Sequence, residues 1–295
     1  MTNLAIYGSR RQRDSFPHIA QLLAALTAAS PDIRVAFDGK FARALQQAGI
    51  PLPPQSEIFE GRPEHPVQLV LSVGGDGTFL STVEKLGDCP TPVMGINSGH
   101  LGYLSAAEIS QVPEIVDAIV RRNYFTQSRS MLDVTVINTE GHTIYHRIGL
   151  NEVALLRRDT ASMISVSAML QGRPLACYHA DGLIVSTPTG STAYNLSAGG
   201  PIAAPDTGIR IITPVAPHSL NMRPLVVADT SHITLTVESR SDTVLLSVDG
   251  KATPIAATHR IEVAKAPHLL HLALLEGHNF IDTLRQKLLW GYDNI

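Results

Sequence analysis

The chain has little cysteine, no excess of positive charge and no long uninterrupted apolar run. Its formal net charge is −3, so no global positive field is available to hold a polyanion, and nucleic acid is not an expected partner. The two cysteines, Cys89 and Cys177, form neither a disulfide framework nor a metal-type spacing. Apolar runs of about 18 residues, which membrane helices need, do not occur. The opening residues, MTNLAIYGSR, carry no cationic leader. We therefore expect a cytoplasmic protein that is neither exported nor bound to a membrane.

Two common sources of phosphate and metal chemistry are also missing from the sequence. No GxxxxGK[ST] motif occurs, which argues against a P-loop ATPase mechanism. His142, His146 and His179 lack a second ligand at a recognisable spacing, so a zinc site is not expected and metal ligands stay unassigned. Any nucleotide chemistry is therefore expected to use a different loop.

The first part of the 295-residue chain alternates strand-like and helix-like patterns. Apolar runs and helically spaced apolar residues follow one another at 4–7, 18–29, 33–37, 41–48, 68–73, 79–86 and 92–96. This alternation predicts a doubly wound α/β domain. Ligands of such domains bind beyond the carboxyl ends of the strands, so the loops at Gly74 and Asn97 are the expected ligand site.

After residue 124 the pattern changes to short, alternating strand-like runs with no comparable helices between most of them. The tail returns to helical spacing, with apolar residues at Phe280, Ile281, Leu284 and Leu288. The predicted fold class is thus α/β, with a doubly wound N-terminal domain and a second, β-rich domain. The predicted domains are 1–124 joined by the tail 265–295, and 125–264.

The sharpest local signal is the run Gly74-Gly75-Asp76-Gly77-Thr78 between a strand and a helix. Glycines let backbone N–H groups approach a phosphate closely, and the start of the next helix adds positive dipole character. The carboxylate of Asp76 is better suited to accepting a proton from a hydroxyl, or to organising a metal, than to binding phosphate. The alternative interpretation is a tight turn in which Asp76 only caps the helix.

Two further segments carry polar groups of the kinds that nucleotides need. Residues 181–200, DGLIVSTPTGSTAYNLSAGG, join a strand to a loop dense in hydroxyls and glycine that ends near Tyr194 and Asn195. Any surface loop has a similar composition, so this segment alone does not decide. The pair Asn151-Glu152 could hold two hydroxyls or an amide, and could equally be a solvated turn.

The types, order and separation of these segments resemble the NAD kinase family. The resemblance runs from GGDGT through Asn151-Glu152 and the 181–200 segment to LSVDG at 246–250. Lipid kinases and phosphofructokinases resemble the chain only at GGDGT. The resemblance implies phosphorylation of the adenosine 2′-hydroxyl of NAD by Mg-ATP to give NADP, with Asp76 as general base.

The resemblance also implies a set of substrate-binding residues. Asn151 and Glu152 would hold the nicotinamide ribose or nearby polar atoms, Tyr194 would stack on adenine, and Asp181 would reach the nicotinamide end of a site completed by a neighbouring subunit. The full set is Asp76, Gly77, Asn151, Glu152, Ser162, His179, Asp181, Thr189, Thr192, Ala193, Tyr194, Asn195, Leu196, Ser197, Ala216 and Lys251. Lys251 stands where many relatives have an uncharged amide, and Ser162 and His179 stand where others have longer or more basic side chains.

The implied partners are NAD and ATP, with a divalent cation, Mg²⁺, arriving on the nucleotide, and a second copy of the chain in a homodimer or homotetramer. Two other functions stay open at this point. One is a lipid or sugar kinase that uses the same GGDGT loop, and the other is a non-catalytic NAD-binding regulator. The sequence does not choose between ATP and polyphosphate as donor, and it does not decide NADH acceptance, feedback inhibition or the number of subunits.

Overall fold

The computed structural model describes residues 3–9, 13–99, 102–159 and 163–289. The chain forms two compact units, Met1–Ser128 with Leu270–Ile295, and Arg129–Leu269. The first unit is therefore made from both ends of the chain. Whether the two units match folding domains at 1–124 with 265–295 and at 125–264 stays a prediction.

The first unit contains eight of the strands and all but one of the α-helices in the described residues. Its strands are β1 Asn3–Gly8, β2 Arg34–Asp38, β3 Glu57–Phe59, β4 Leu69–Val73, β5 Val93–Asn97, β6 Ala107–Glu108, β7 Tyr124–Arg129 and, from the end of the chain, β20 Leu270–Leu275. Its helices are α1 Phe16–Ala29, α2 Gly39–Gln47, α3 Asp76–Leu86, α4 Val112–Arg121 and α6 Phe280–Leu288.

These strands form one sheet in the order β3-β2-β1-β4-β5-β20-β7, with β6 beside β5. The pairs β1 with β2, β1 with β4, and β4 with β5 are all parallel. Every residue of β4 and β5 is buried, as expected of central parallel strands covered on both faces. The predicted α/β class of the first unit is confirmed.

Helix α4 was not predicted, although its sequence carries the usual signals. Pro113 lies in the first turn, where its missing N–H costs nothing. Val112, Ile115, Ala118 and Ile119 are buried at helical spacing. This helix lies immediately before β7 in the chain and is the last element of the N-terminal part of the unit before that strand.

The second unit is β-rich, as predicted, and its described residues form two six-stranded antiparallel sheets. One sheet has the order β15-β14-β13-β10-β17-β18 and the other the order β12-β11-β16-β19-β8-β9. The strands are β8 Leu132–Ile137, β9 Thr143–Gly149, β10 Glu152–Leu156, β11 Ile164–Leu170, β12 Arg173–Ala180, β13 Gly182–Ser186, β14 Ile209–Val215, β15 Leu225–Ala228, β16 Ile233–Glu238, β17 Thr243–Val248, β18 Lys251–Ala256 and β19 Arg260–Lys265.

Buried side chains from both sheets form one apolar core in this unit. Buried and less buried positions alternate along β8 and β17, the pattern of strands with one face in the core. Between β13 and β14 the chain forms a 3-10 turn, Thr189–Thr192, and the short helix α5, Tyr194–Ser197. No helix in the described part of the chain is both long enough and apolar enough to cross a membrane.

Candidate functional site

The two loops that the strand order pointed to lie together in the first unit. Strands β4 and β5 are neighbours, and the N–H of Gly74, just after β4, donates to the carbonyl of Ile96 in β5 at 2.9 Å. At Gly74 a Cβ atom would lie 2.4 Å from the hydroxyl of Thr78. The glycine is therefore needed for the tight entry into α3.

Asp76 is the first residue of helix α3, and the helix cap is Gly75 without a side-chain cap bond. The interpretation of Asp76 as a simple helix cap is therefore wrong. Its carboxylate instead accepts hydrogen bonds from the backbone of the segment after β5. The N–H of Tyr103 donates to Oδ2 at 3.1 Å, and the N–H of Leu104 donates to Oδ1 at 3.3 Å.

These two hydrogen bonds hold the carboxylate of Asp76 at a fixed place. The first turn of α3 favours a negative charge because its free N–H groups carry partial positive charge. Gly102 makes the approach possible, since a Cβ atom there would lie 1.9 Å from Asp76 Oδ1. Sequence reasoning did not find this role for residues 102–104, although the loop itself had been selected.

Two other polar groups stand near Asp76 in the first unit. Burial, and then the charge of Asp76, raise the pKa of Tyr103, whose hydroxyl is buried with no partner among the described residues. Lys287 in α6 places its ammonium nitrogen 5.2 Å from the centre of the Tyr103 ring. Burial lowers the pKa of Lys287, and the negative charge of Asp76 opposes that change.

In the second unit, Asn151 and Glu152 lie where β10 begins and are both buried. Asp249, in the turn between β17 and β18, holds them through three backbone N–H groups. Its Oδ2 accepts from Leu150 at 2.7 Å, and its Oδ1 accepts from Asn151 at 2.8 Å and from Glu152 at 3.2 Å. Asp249 has a φ of 49°, a left-handed conformation that Asp adopts more readily than most residues.

Glu152 is a carboxyl group with a strongly perturbed environment. Burial, and then the nearby charge of Asp249, raise the pKa of Glu152 from 4.5 to about 7, while a hydrogen bond from the Tyr194 backbone opposes the rise. Its Oε2 atom is buried with no partner among the described residues. Burial also raises the pKa of Asp249, against the effect of its three N–H donors. Burying the carboxyl groups of Glu152 and Asp249 without full pairing costs stability. Such a cost is typical of functional sites, so the pair indicates one here.

The hydroxyl-rich segment packs directly on this pair. At Gly190 a Cβ atom would lie 2.1 Å from the carbonyl oxygen of Asn151, and the N–H of Thr187 donates to that same oxygen at 2.9 Å. The backbone N–H of Tyr194 reaches Glu152, and the side chain of Tyr194 is 37% exposed. The structure thus brings Asn151, Glu152 and the 189–194 segment together.

The 189–197 segment is more buried than a surface loop. Thr189 is buried and its hydroxyl accepts from Arg129 at 3.4 Å. Asn195 is fully buried: its amide nitrogen donates to the carbonyls of Ser191 and Pro201, each at 3.0 Å, and its oxygen accepts from Thr213 at 2.6 Å. Ser197 is exposed, and the remaining predicted residues are half-buried: Thr192, Ala193 and Leu196.

Three other predicted residues lie at the opposite end of β13. Asp181 precedes β13, and its carboxylate pairs with the Arg157 guanidinium at 3.0 Å. His179 Nδ1 lies 2.9 Å from the Ser165 hydroxyl, and Ala216 follows β14 with a φ of 45°. A five-residue strand spans roughly 16 Å. His179, Asp181 and Ala216 are therefore separated from Asn151 and Thr189.

The remaining predicted residues have separate positions. Lys251 begins β18 next to the Asp249 turn and is exposed. Gly77 is exposed on α3 beside Asp76. Ser162 lies outside the described residues. Among the described residues, His, Cys, Asp and Glu side chains form no group of three that could hold a metal ion, and both cysteines are free thiols.

The chain matches two family models that together cover most of its length. Residues 19–124 match the ATP-NAD kinase N-terminal domain, and residues 150–275 match the ATP-NAD kinase C-terminal domain. The NAD kinase of Porphyromonas gingivalis is 40% identical over 291 residues, covering 99% of each chain. The NAD kinase of Bacteroides fragilis is 38% identical over 290 residues, covering 98% of each.

Solved structures share the fold. Yeast NADH kinase complexed with NADH superposes with a TM-score of 0.89 at 24% identity, covering 99% of this chain and 89% of that one. An NAD kinase from Archaeoglobus fulgidus in complex with ATP gives a TM-score of 0.68 at 24% identity, covering 92% and 93%. At that identity the two structures support the fold alone. Matched family models over both units and curated relatives of nearly full length assign the function class, and the chain belongs to the NAD kinase family of enzymes.

Proposed function

We propose that this chain transfers the γ-phosphoryl group of Mg-ATP to the 2′-hydroxyl of the adenosine ribose of NAD, giving NADP, with Asp76 as the general base. The observation that carries the proposal is the Asp76 carboxylate itself. It stands at a glycine-bordered helix start, held by the N–H groups of Tyr103 and Leu104, in a chain of the NAD kinase family.

The 2′-oxygen forms a bond to the γ-phosphorus while its proton passes to Asp76, and the bond between the γ-phosphorus and the β,γ-bridging oxygen breaks, so that ADP leaves. A ribose hydroxyl is a weak nucleophile, so it gains from a positioned base and from in-line alignment with the phosphoryl group. The two N–H donors hold in place the carboxylate that would accept the proton.

Residues of the second unit would bind the dinucleotide. In the proposal Asn151 donates and accepts hydrogen bonds with ribose hydroxyls or neighbouring polar atoms, ionised Glu152 accepts them, and the exposed ring of Tyr194 stacks on adenine. The unpartnered Glu152 Oε2 supports this role, because a ligand hydroxyl would supply the missing hydrogen bond. The relative crystallised with NADH and the relative crystallised with ATP are consistent with these two ligand classes.

Mg²⁺ enters the proposal as part of the substrate Mg-ATP. The described His, Cys, Asp and Glu residues form no cage for an ion, and Mg²⁺ commonly binds through phosphate oxygens, water and few protein carboxylates. It would neutralise charge on the triphosphate as the phosphoryl group leaves.

A homo-oligomer and a cytoplasmic location are further parts of the proposal. The position of Asp181, at the end of β13 opposite the one that pairs with Glu152, supports its role at the nicotinamide end of a site completed by a neighbouring subunit. Light scattering of the purified protein would give the subunit number.

The test is a coupled assay of NADP formation with the wild type, Asp76→Asn and the control Asp88→Asn. Asp88 is an exposed carboxylate of the same unit. Asp76→Asn is expected to lower kcat by on the order of 10²- to 10⁴-fold, with NAD binding by calorimetry retained, and Asp88→Asn to match the wild type. Transfer of label from ATP to diacylglycerol or a sugar but not to NAD would overturn the proposal in favour of a different kinase. A wild type that binds NAD yet is inactive with every donor would instead indicate a regulator.

A further inference from the structure

Helix α6, near the end of the chain, brings a positive charge to the segment that holds Asp76. Lys287 lies on the less exposed side of α6, while its neighbours Arg285 and Gln286 are exposed. Its ammonium nitrogen lies over the Tyr103 ring, 5.2 Å from the ring centre. A cation at this distance is attracted to the negative face of the ring.

Tyr103 connects this cation to the carboxylate. The backbone N–H of Tyr103 donates to Asp76 Oδ2, while its ring receives Lys287. Lys287 and Asp76 also attract each other directly, since the charge of Asp76 favours the protonated form of the lysine. Lys287 is thus coupled to Asp76 in two ways, through the Tyr103 segment and through the electric field.

If Asp76 is the general base, a positive charge beside Tyr103 would help to hold the Asp76 carboxylate in place. The incoming triphosphate is anionic, and like charges repel, so a carboxylate beside the γ-phosphoryl group would be pushed away from its productive position. The positive charge of Lys287 opposes this repulsion from its place over the Tyr103 ring. Packing on Tyr103 already restricts the long lysine side chain in the folded protein, so little further conformational entropy is lost when its charge is held there during the reaction.

We propose that Lys287 is a positioning residue for phosphoryl transfer, which helps to hold the Asp76 carboxylate in place from helix α6 through its contact with Tyr103. This inference rests on the proposed role of Asp76 as general base. The family comparison does not assign Lys287 a part in the reaction, and sequence reasoning treated its helix only as a packing element.

The test compares three single variants in the NADP-formation assay. Lys287→Met keeps the length of the side chain and its contact with the ring but removes the charge. We expect kcat to fall about tenfold, because loss of the attraction between the ammonium group and the Tyr103 ring lets the carboxylate shift from its productive position, with KM for NAD and for ATP within about twofold of the wild type. Lys287→Arg keeps the charge and is expected to recover most of kcat. Arg285→Met removes an exposed charge from the same helix and is expected to match the wild type.

A double variant separates an action through Asp76 from a general structural effect. If Lys287 acts through Asp76, Lys287→Met causes no further loss in an Asp76→Asn background, because coupled residues are not additive. An equal loss in both backgrounds, or a Lys287→Met variant as active as the wild type, would overturn the inference. A loss that Lys287→Arg does not restore would overturn it as well. Failure of the proposed function is distinguishable, because it would show as absent NADP formation in the wild type or as full activity in Asp76→Asn.

Discussion

The buried Glu152 predicts a pH-dependent stability that a single amide substitution should remove. Glu152→Gln keeps the shape of the side chain and takes away its charge. In the folded chain the pKa of Glu152 is about 7, raised from 4.5 by burial and by Asp249. Between pH 4.5 and pH 7, therefore, Glu152 keeps its proton in the folded chain but has lost it in the unfolded chain. The contribution of Glu152 to stability is complete below about pH 4.5 and is lost as the pH rises through about 7.

The magnitude follows from the size of the shift. Two and a half pKa units at about 1.4 kcal/mol per unit give about 3 kcal/mol at full ionisation, of which about 2.5 kcal/mol develops between pH 5 and pH 8. Glu152 is 7% exposed, so solvent screening takes little from this value. We expect Glu152→Gln to be about as stable as the wild type at pH 5 and more stable by roughly 2 to 3 kcal/mol at pH 8.

The assay is urea unfolding followed by circular dichroism at both pH values. Glu238→Gln is the matched control, because Glu238 is an exposed glutamate of the same unit and should show no pH-dependent difference from the wild type. A stability difference between Glu152→Gln and the wild type that is equal at pH 5 and pH 8 would refute the reasoning. The same variant should have weaker NAD binding, because a stability cost that persists at a buried carboxylate is typical of a group kept for function.

Two further substitutions test the geometry of each unit. Gly102→Ala would place a Cβ atom 1.9 Å from Asp76 Oδ1, so the rate of NADP formation should fall by at least tenfold. The control is Gly208→Ala, whose Cβ would lie 3.8 Å from its nearest neighbour and which should leave the rate unchanged. Equal rates for the two variants would contradict the described packing. Asn195→Ala removes three buried side-chain hydrogen bonds and should lower the free energy of unfolding by about 2 to 4 kcal/mol. The control Ser197→Ala changes an exposed residue of the same short helix and should lower it by less than about 0.5 kcal/mol. A raised KM for NAD with unchanged stability of Asn195→Ala would show that Asn195 serves only the ligand.

Local patterns predicted the first unit well because its strands are adjacent along the chain. Residues 69–73 and 93–97 are unbroken apolar runs, and they form neighbouring parallel strands. The loops after them therefore meet, and the pairing of Asp76 with residues 103 and 104 is the result. The remaining error there was local as well: the helical pattern around Ile115 was present and was not used.

The sequence predicted that the second unit is β-rich, but it predicted much less about how the residues of its candidate site are arranged. Asn151 and Asp249 are 98 positions apart, and only the pairing of β10 with β17 brings them together. No periodicity along the sequence encodes that neighbour relation, which depends on antiparallel register. The hydroxyl-rich segment was expected to be a loop, and its helical turns bury Asn195 because Thr213 in β14 offers a partner that the local sequence does not show.

Lys287 was missed for a similar reason. Its helical spacing predicted α6, but the surface that α6 covers depends on where β20 places the end of the chain. The polar neighbours of a helix are set by the sheet that it joins, so charge partners such as Asp76 are not visible in the helix itself.

The position of β20 between β5 and β7 also has a consequence during synthesis on the ribosome. The sheet of the first unit is interrupted until β20 is translated, so nascent chains carry an unpaired edge on β7 and a β5 edge that only the short β6 covers for as long as the intervening residues are being made. Messenger truncations or premature stop codons upstream of Leu270 would release chains with a permanently split sheet. Such products are expected to be recognised by chaperones and proteases, and the enzyme's abundance would depend on complete translation.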